Sequence, residues 1–148
     1  MRIFLDASCW VAAAGSTTGG SALILKMASA GIIHLVVTQT ILQEAERNIQ
    51  KNFPEPAIIQ YYQSLGELPL EILERSTFEE EARWEHIIVE KDRHVLAAAY
   101  KGQVDFLVSL DRKHILSTLV RENFSVPVMD TREFLQYFTE RPDNIQST

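Results

Sequence analysis

An α/β domain, with a mainly parallel sheet and helices on both faces, is predicted by three features of this 148-residue sequence. Short apolar runs of strand length alternate with segments whose apolar residues recur at helical spacing. No repeat, linker or low-complexity stretch interrupts that alternation. A hydrophobic content of 46% over this length supports one well-packed core and is too small for two ordinary domains, so residues 1–148 read as a single domain.

Residues 2–6, RIFLD, read as a buried strand ending on an acid, with a short helix over SCWVAAA behind it. SALILKMASAG is a helical pattern closed by Gly31, and HLVV is a second strand. In TQTILQEAERNIQKN, Ile41, Ala45 and Ile49 fall at helical spacing, and Pro54 and Pro56 end the helix. PAIIQYYQSLGEL is a further helix and LEIL a weak strand. TFEEEARWEHII reads as an acidic amphipathic helix with Phe78, Ala82 and either Trp84 or Glu85 at its boundary. KDRHVLAAAYKG is a helix stopped by Gly102, DFLVS a strand, RKHILSTLVREN a helix, VPVM a strand and TREFLQYF the last helix. Residues 139–148 are expected to form a loose tail.

The lone Cys9 cannot close an intrachain disulfide, MRIFLDAS has no signal-peptide pattern, and no run approaches the roughly 20 apolar residues of a membrane span. A soluble, cytoplasmic protein of a reducing compartment is expected. The net charge of −6 is concentrated: residues 67–90 hold eight acids and two bases, which leaves the remainder neutral. That patch weakly opposes a nucleic-acid substrate, although a local basic rim can still steer phosphates.

The acids at strand ends carry the functional signal. In a parallel sheet, ligands bind beyond the carboxyl ends of the strands, and Asp6 and Asp111 both follow strands at that edge. Asp92 opens a helix running into VLAAA, and Glu44 flanks the Ile41/Ala45/Ile49 stripe, with Glu46 near its other border. Each has a bland counterpart: Asp caps helices well, and Glu early in a helix suits the macrodipole. Ser8 could hydrogen-bond a site carboxylate or merely cap. Asp105 begins its strand and belongs to the opposite edge. The four histidines show no zinc-site spacing, so solvent-facing or core roles are expected for them, and Cys9 is expected in the core.

With these residues assembled, the chain resembles the PIN-domain family of metal-dependent ribonucleases over approximately residues 2–138. The marks are IFLDAS, TQTILQEAERNI, KDRHVLAAA and DFLVSLDRKHI, in that order. The resemblance implies a three-layer α/β/α sandwich and a site in which Asp6, Glu44, Asp92 and Asp111 bind Mg²⁺ or Mn²⁺, with Ser109 and Ser8 as adjoining hydroxyls. It favours Glu44 over Glu46. Some members carry a further acid shortly after the position of Asp111, where this chain has Arg112, Lys113 and His114.

Four carboxylates in one small space repel, and hard divalent cations relieve that conflict through oxygen ligands while activating water and stabilising phosphoryl charge. Lys91, Arg93, Arg112 and Lys113 adjoin the acids and could hold an RNA backbone without reading its sequence. The resemblance further implies an RNA substrate, an antitoxin partner if the chain is the toxin of a toxin–antitoxin pair, and a homodimer. The rival readings are a non-catalytic PIN-like binding module and a phospho-acceptor domain. The latter normally has adjacent acids after its first strand, whereas Asp6 is followed by Ala7 and Ser8.

Overall fold

The computed structural model describes residues 1–141. Its centre is a five-stranded, all-parallel sheet in the order β3-β2-β1-β4-β5, built from β1 (Arg2–Leu5), β2 (His34–Thr38), β3 (Leu70–Leu73), β4 (Phe106–Val108) and β5 (Val128–Met129). The middle strand is the most apolar: Ile3, Phe4 and Leu5 are fully buried between β2 and β4. Each such side chain contributes roughly 1.5–3 kcal/mol relative to exposure.

Parallel neighbours need right-handed crossovers, which assigns the helices to faces. The chain steps from β1 to β2 to β3 in one direction, carrying α1 (Ala7–Gly15), α2 (Gly20–Ser29), α3 (Gln39–Asn52) and α4 (Glu55–Glu67) onto one face. It then returns past β1 to β4 and β5, placing α5 (Phe78–Ala82), α6 (Arg93–Lys101) and α7 (Thr118–Asn123) on the other. Contacts agree: α1 packs on α2, α3 and α4, and α5 packs on α6. The last helix, α8 (Thr131–Thr139), follows β5 and rests on α2. The expected three-layer α/β/α architecture with a parallel sheet is the one observed.

Two helix expectations need correction. The acidic helix stops at Ala82 and continues as turns, because Trp84 drops into the core against Tyr100 and Phe124. Phe78, expected on the buried boundary, is 90% exposed. The helix expected from Arg112 begins only at Thr118: Asp111 holds the preceding residues in a turn, and Ser117 caps α7 by accepting the Val120 N–H. The tail expected over 139–148 starts inside α8 at Thr139, and its residues 142–148 lie outside the described residues.

Two glycines act as the sequence suggests, for different reasons. Gly31 closes α2 in the left-handed region, at φ 78°. Gly102 has an ordinary φ of −74°, but an added Cβ would come within 2.8 Å of Leu73 Cδ1, and it is the following Gln103 that takes positive φ.

Candidate active site

The strand order reverses between β1 and β4, and in open parallel sheets the carboxyl ends of the strands at such a switch are where ligands bind. Asp6 leaves β1 there, and Ser109 and Asp111 leave β4. Hydroxyls stitch the two loops together. Ser109 Oγ donates to Asp6 Oδ2 at 2.7 Å, Ser8 Oγ lies 3.3 Å from the same oxygen, and the two serine oxygens are 3.3 Å apart. Each serine oxygen also accepts a backbone N–H, Ser8 from Leu110 and Ser109 from Asp111. Their own protons are therefore left to point at the carboxylate.

The capping alternative fails for both buried aspartates. Asp6 stands at the N-cap of α1 and Asp92 at that of α6, yet neither side chain makes a capping hydrogen bond. Thr38, Thr77, Ser117 and Asp130 all do so for their own helices. Asp92 ends a short 3-10 turn, Glu90–Asp92, and is 9% exposed.

Asp111 is aimed by its own backbone. Its Oδ1 accepts the N–H groups of Lys113 (3.1 Å) and His114 (3.2 Å), leaving Oδ2 to face inward. His114 Nδ1 lies 3.1 Å from Asp92 Oδ2 and 3.7 Å from Asp111 Oδ2. Ligand-type atoms of Asp92, Asp111 and His114 all fall within 4.8 Å of one another. Despite the short approach of Nδ1, Asp92 Oδ2 has no aligned hydrogen bond and is shut off from solvent.

Glu44 reaches the same region from α3. His94 Nε2 of α6 lies 3.9 Å from its Oε2, whereas Glu46 turns the other way and accepts from the Tyr62 hydroxyl at 2.8 Å. Of the four histidines, expected to face solvent or core, His114 instead faces two of the candidate carboxylates, while His94 is mostly buried beside Glu44. The signal was missed because the partners of His114 lie 22 and 3 residues back, a spacing that no sequential zinc pattern contains. Cys9 is buried in the core as expected.

Burial and neighbouring negative charge oppose the ionisation of Asp6, Glu44 and Asp92. Desolvation pushes Asp6 up to about 6, against the hydrogen bonds from Ser109, Ala7 and Ser8, and the Glu44 charge adds to the rise. Glu44 is raised by desolvation and then by Asp92 and Asp111, with Arg47 and Lys91 opposing. Asp92 is likewise raised by desolvation and Asp111, with Lys91, His114 and His94 opposing. Desolvation lowers His94, so its own burial works against the positive charge with which it opposes the rise of Asp92. A solvent-excluded carboxylate oxygen without a partner, facing a second carboxylate and an imidazole nitrogen, is a donor set that suits a divalent cation.

The adjoining bases divide. Lys91 acts electrostatically on Glu44 and Asp92, whereas Arg93 donates to the Ile88 carbonyl at 3.3 Å and Arg112 pairs with Asp130 at 2.7 Å. Arg93 and Arg112 are therefore engaged within the chain. Asp105 lies at the far edge, where its Oδ2 accepts the Arg2 N–H at 2.7 Å.

Solved structures similar to this chain share its fold. A Pyrobaculum aerophilum protein, PAE2754, aligns with TM-score 0.65 and 16% identity over 95% of this chain and 97% of its own. VapBC2 of Rickettsia felis, solved bound to a DNA fragment of its promoter, gives 0.59 and 16% over 88% and 98%. Mycobacterium tuberculosis VapC20, described as a toxin cleaving the sarcin–ricin loop, gives 0.57 and 14% over 82% and 95%. No curated protein matches. The family model described as the PIN domain matches residues 2–113, a span that includes Asp6, Glu44, Asp92 and Asp111, and the chain belongs to the PIN domain family.

Proposed function

We propose that this chain is a metal-dependent ribonuclease that hydrolyses RNA phosphodiester bonds with Mg²⁺ or Mn²⁺. The observation that carries the reading is Asp92: a buried carboxylate oxygen with no hydrogen bond, set against Asp111 at the switch in strand order. Such a group is costly unless something binds it.

In this reading Asp6, Glu44, Asp92 and Asp111 hold the cation. Ser109 and Ser8 keep Asp6 aimed by hydrogen bonds to the ionised form, and the two backbone N–H groups on Asp111 Oδ1 fix that carboxylate. The ion supplies Lewis acidity, polarising the phosphoryl group and acidifying water. Lys91 and Lys113 offer positive charge for the RNA backbone beside it. Arg112, 70% exposed at its side chain but held by Asp130, positions the loop after Asp111 more than it binds phosphate.

The test is cleavage of an RNA substrate by purified protein with Mg²⁺ or Mn²⁺, stopped by EDTA and abolished by Asp6→Asn. Cleavage undiminished by that substitution would point to a contaminant. The likeness to VapBC2 and VapC20 in fold supports a toxin role with an antitoxin partner. A small reading frame immediately upstream encoding a DNA-binding protein that blocks the cleavage would establish it. If neither cleavage nor metal binding is found, a non-catalytic module is left.

A further inference from the structure

Among the ligand-type side chains of the described residues, the one that the acid quartet leaves unexplained is the imidazole beside Asp92 and Asp111. His114 sits nearer to Asp92 Oδ2, at 3.1 Å, than to Asp111 Oδ2, at 3.7 Å, and it is mostly buried. Resting on the metal-site reading above, we propose that His114 is itself a ligand of the cation beside Asp92 and Asp111, so that an imidazole joins the carboxylates and the site prefers Mn²⁺ to Mg²⁺.

Three observations carry this. The atoms Asp92 Oδ2, Asp111 Oδ2 and His114 Nδ1 surround one small volume, all within 4.8 Å of each other, as ligands of one ion must. Asp92 is nine-tenths buried, and its Oδ2 has no hydrogen bond even though Nδ1 lies beside it. A simple ion pair would align N–H with oxygen, whereas ligands of a shared ion point at the ion and not at one another. Finally, one turn orients both groups: the carboxylate of Asp111 accepts the backbone N–H of His114, so the imidazole follows wherever that carboxylate is aimed.

The proton balance is simple. With the ion bound, Nδ1 would offer its lone pair and the ring hydrogen would sit on Nε2, and any second proton on the ring would be released to solvent. Imidazole suits transition ions better than Mg²⁺, which prefers oxygen and keeps its waters. The affinity order Mg²⁺, Mn²⁺, Co²⁺ should therefore climb more steeply here than in an all-carboxylate site.

The experiment is titration of the purified full chain with Mn²⁺ and with Mg²⁺, together with pulsed electron paramagnetic resonance of bound Mn²⁺, on wild type and three variants. Wild type is expected to show nitrogen coupling to the manganese. His94→Gln should retain it, and His114→Gln should lose it while weakening Mn²⁺ binding about tenfold or more, since even partners behind a ligand cost that much. His114→Asp should recover tight binding without nitrogen coupling and move the preference toward Mg²⁺. It decides the question even if His114→Gln does not fold. Bound Mn²⁺ with no nitrogen coupling in wild type, or coupling that survives in His114→Gln or His114→Asp, overturns the imidazole ligand and leaves the carboxylate site standing. Failure of wild type to bind either ion overturns the site and the ligand together.

Discussion

The two edges of the sheet hold the same kind of residue under opposite conditions. At the amino edge, Arg2 chelates Glu71 through both guanidinium Nη atoms, gives its backbone N–H to Asp105 and donates to the Gly102 carbonyl. The Arg2 hydrogen bond holds Glu71 below its usual value. At the carboxyl edge, Asp6, Glu44 and Asp92 are all held above theirs. Asp130, also at that edge after β5, is the instructive exception: it caps α8, accepts from Arg112 and is lowered. Position at the edge alone therefore does not mark a site. Asp92 differs from Asp130 in that its Oδ2 is neither hydrogen-bonded nor used as a cap.

The largest expected effect breaks this comparison by activity. Asp92→Asn should reduce metal-dependent RNA cleavage on the order of a hundredfold or more, beyond the loss that removal of a partner behind a ligand causes. Asp105→Asn, at the opposite edge, should stay within about twofold of wild type, since it lies far from the chemistry and only holds the Arg2 backbone. Rates measured under one metal concentration decide it; equal losses in both would make the two edges functionally alike.

Much of this contrast was legible in the sequence. Asp6, Asp111 and Asp105 are sorted between the edges by where they fall relative to IFL and FLV, because a parallel sheet sends every strand end to one side. What pattern could not supply was contact across topology. His114 meets Asp92 only because α6 and the loop after β4 converge, and the turn that places it replaces the start of an expected helix. In the same way, Trp84 overrode the helical period of residues 77–88, since burying an indole against Tyr100 and Phe124 outweighs a further turn of exposed acidic helix.

The second effect is on pH-dependent stability without metal. The folded pKa of Asp6, about 6, lies above the ordinary 3.8, so the folded state holds this proton more tightly than the unfolded chain. The resulting stability is complete below pH 3.8 and is lost as pH rises through 6. The total is on the order of 3 kcal/mol. Asp6→Asn should remove that loss, and urea melts at pH 5 and pH 8 should differ less for the variant than for wild type. An unchanged difference would mean that Asp6 is not strained by its burial.

Adding Mn²⁺ at a hundredfold excess over Kd should then stabilise wild type by about 2.7 kcal/mol. Without metal, Asp6→Asn and Asp92→Asn should melt no lower than wild type, and with it they should gain less. Equal gains in thermal melts of all three would remove the metal from this edge and leave the two carboxylates without a ligand to account for them.

The smallest effect belongs to the amino edge and has the opposite sign. Glu71 is ionised more easily in the folded state than in the unfolded chain, so its contribution is present above pH 4.5 and is lost as pH falls below that value. The pair with Arg2 is partly exposed, so solvent and salt screen it. Glu71→Gln should lower the melting temperature slightly at pH 7 and low salt, less in high salt, and not at all near pH 3, while leaving the Mn²⁺ response intact. If the variant instead loses the Mn²⁺ response, the two edges are coupled through β1, and the division between a structural and a functional rim does not hold. If it melts like wild type at every pH, the pair is neutral to stability, and the amino edge rests on Arg2 through its bonds to Asp105 and Gly102 alone.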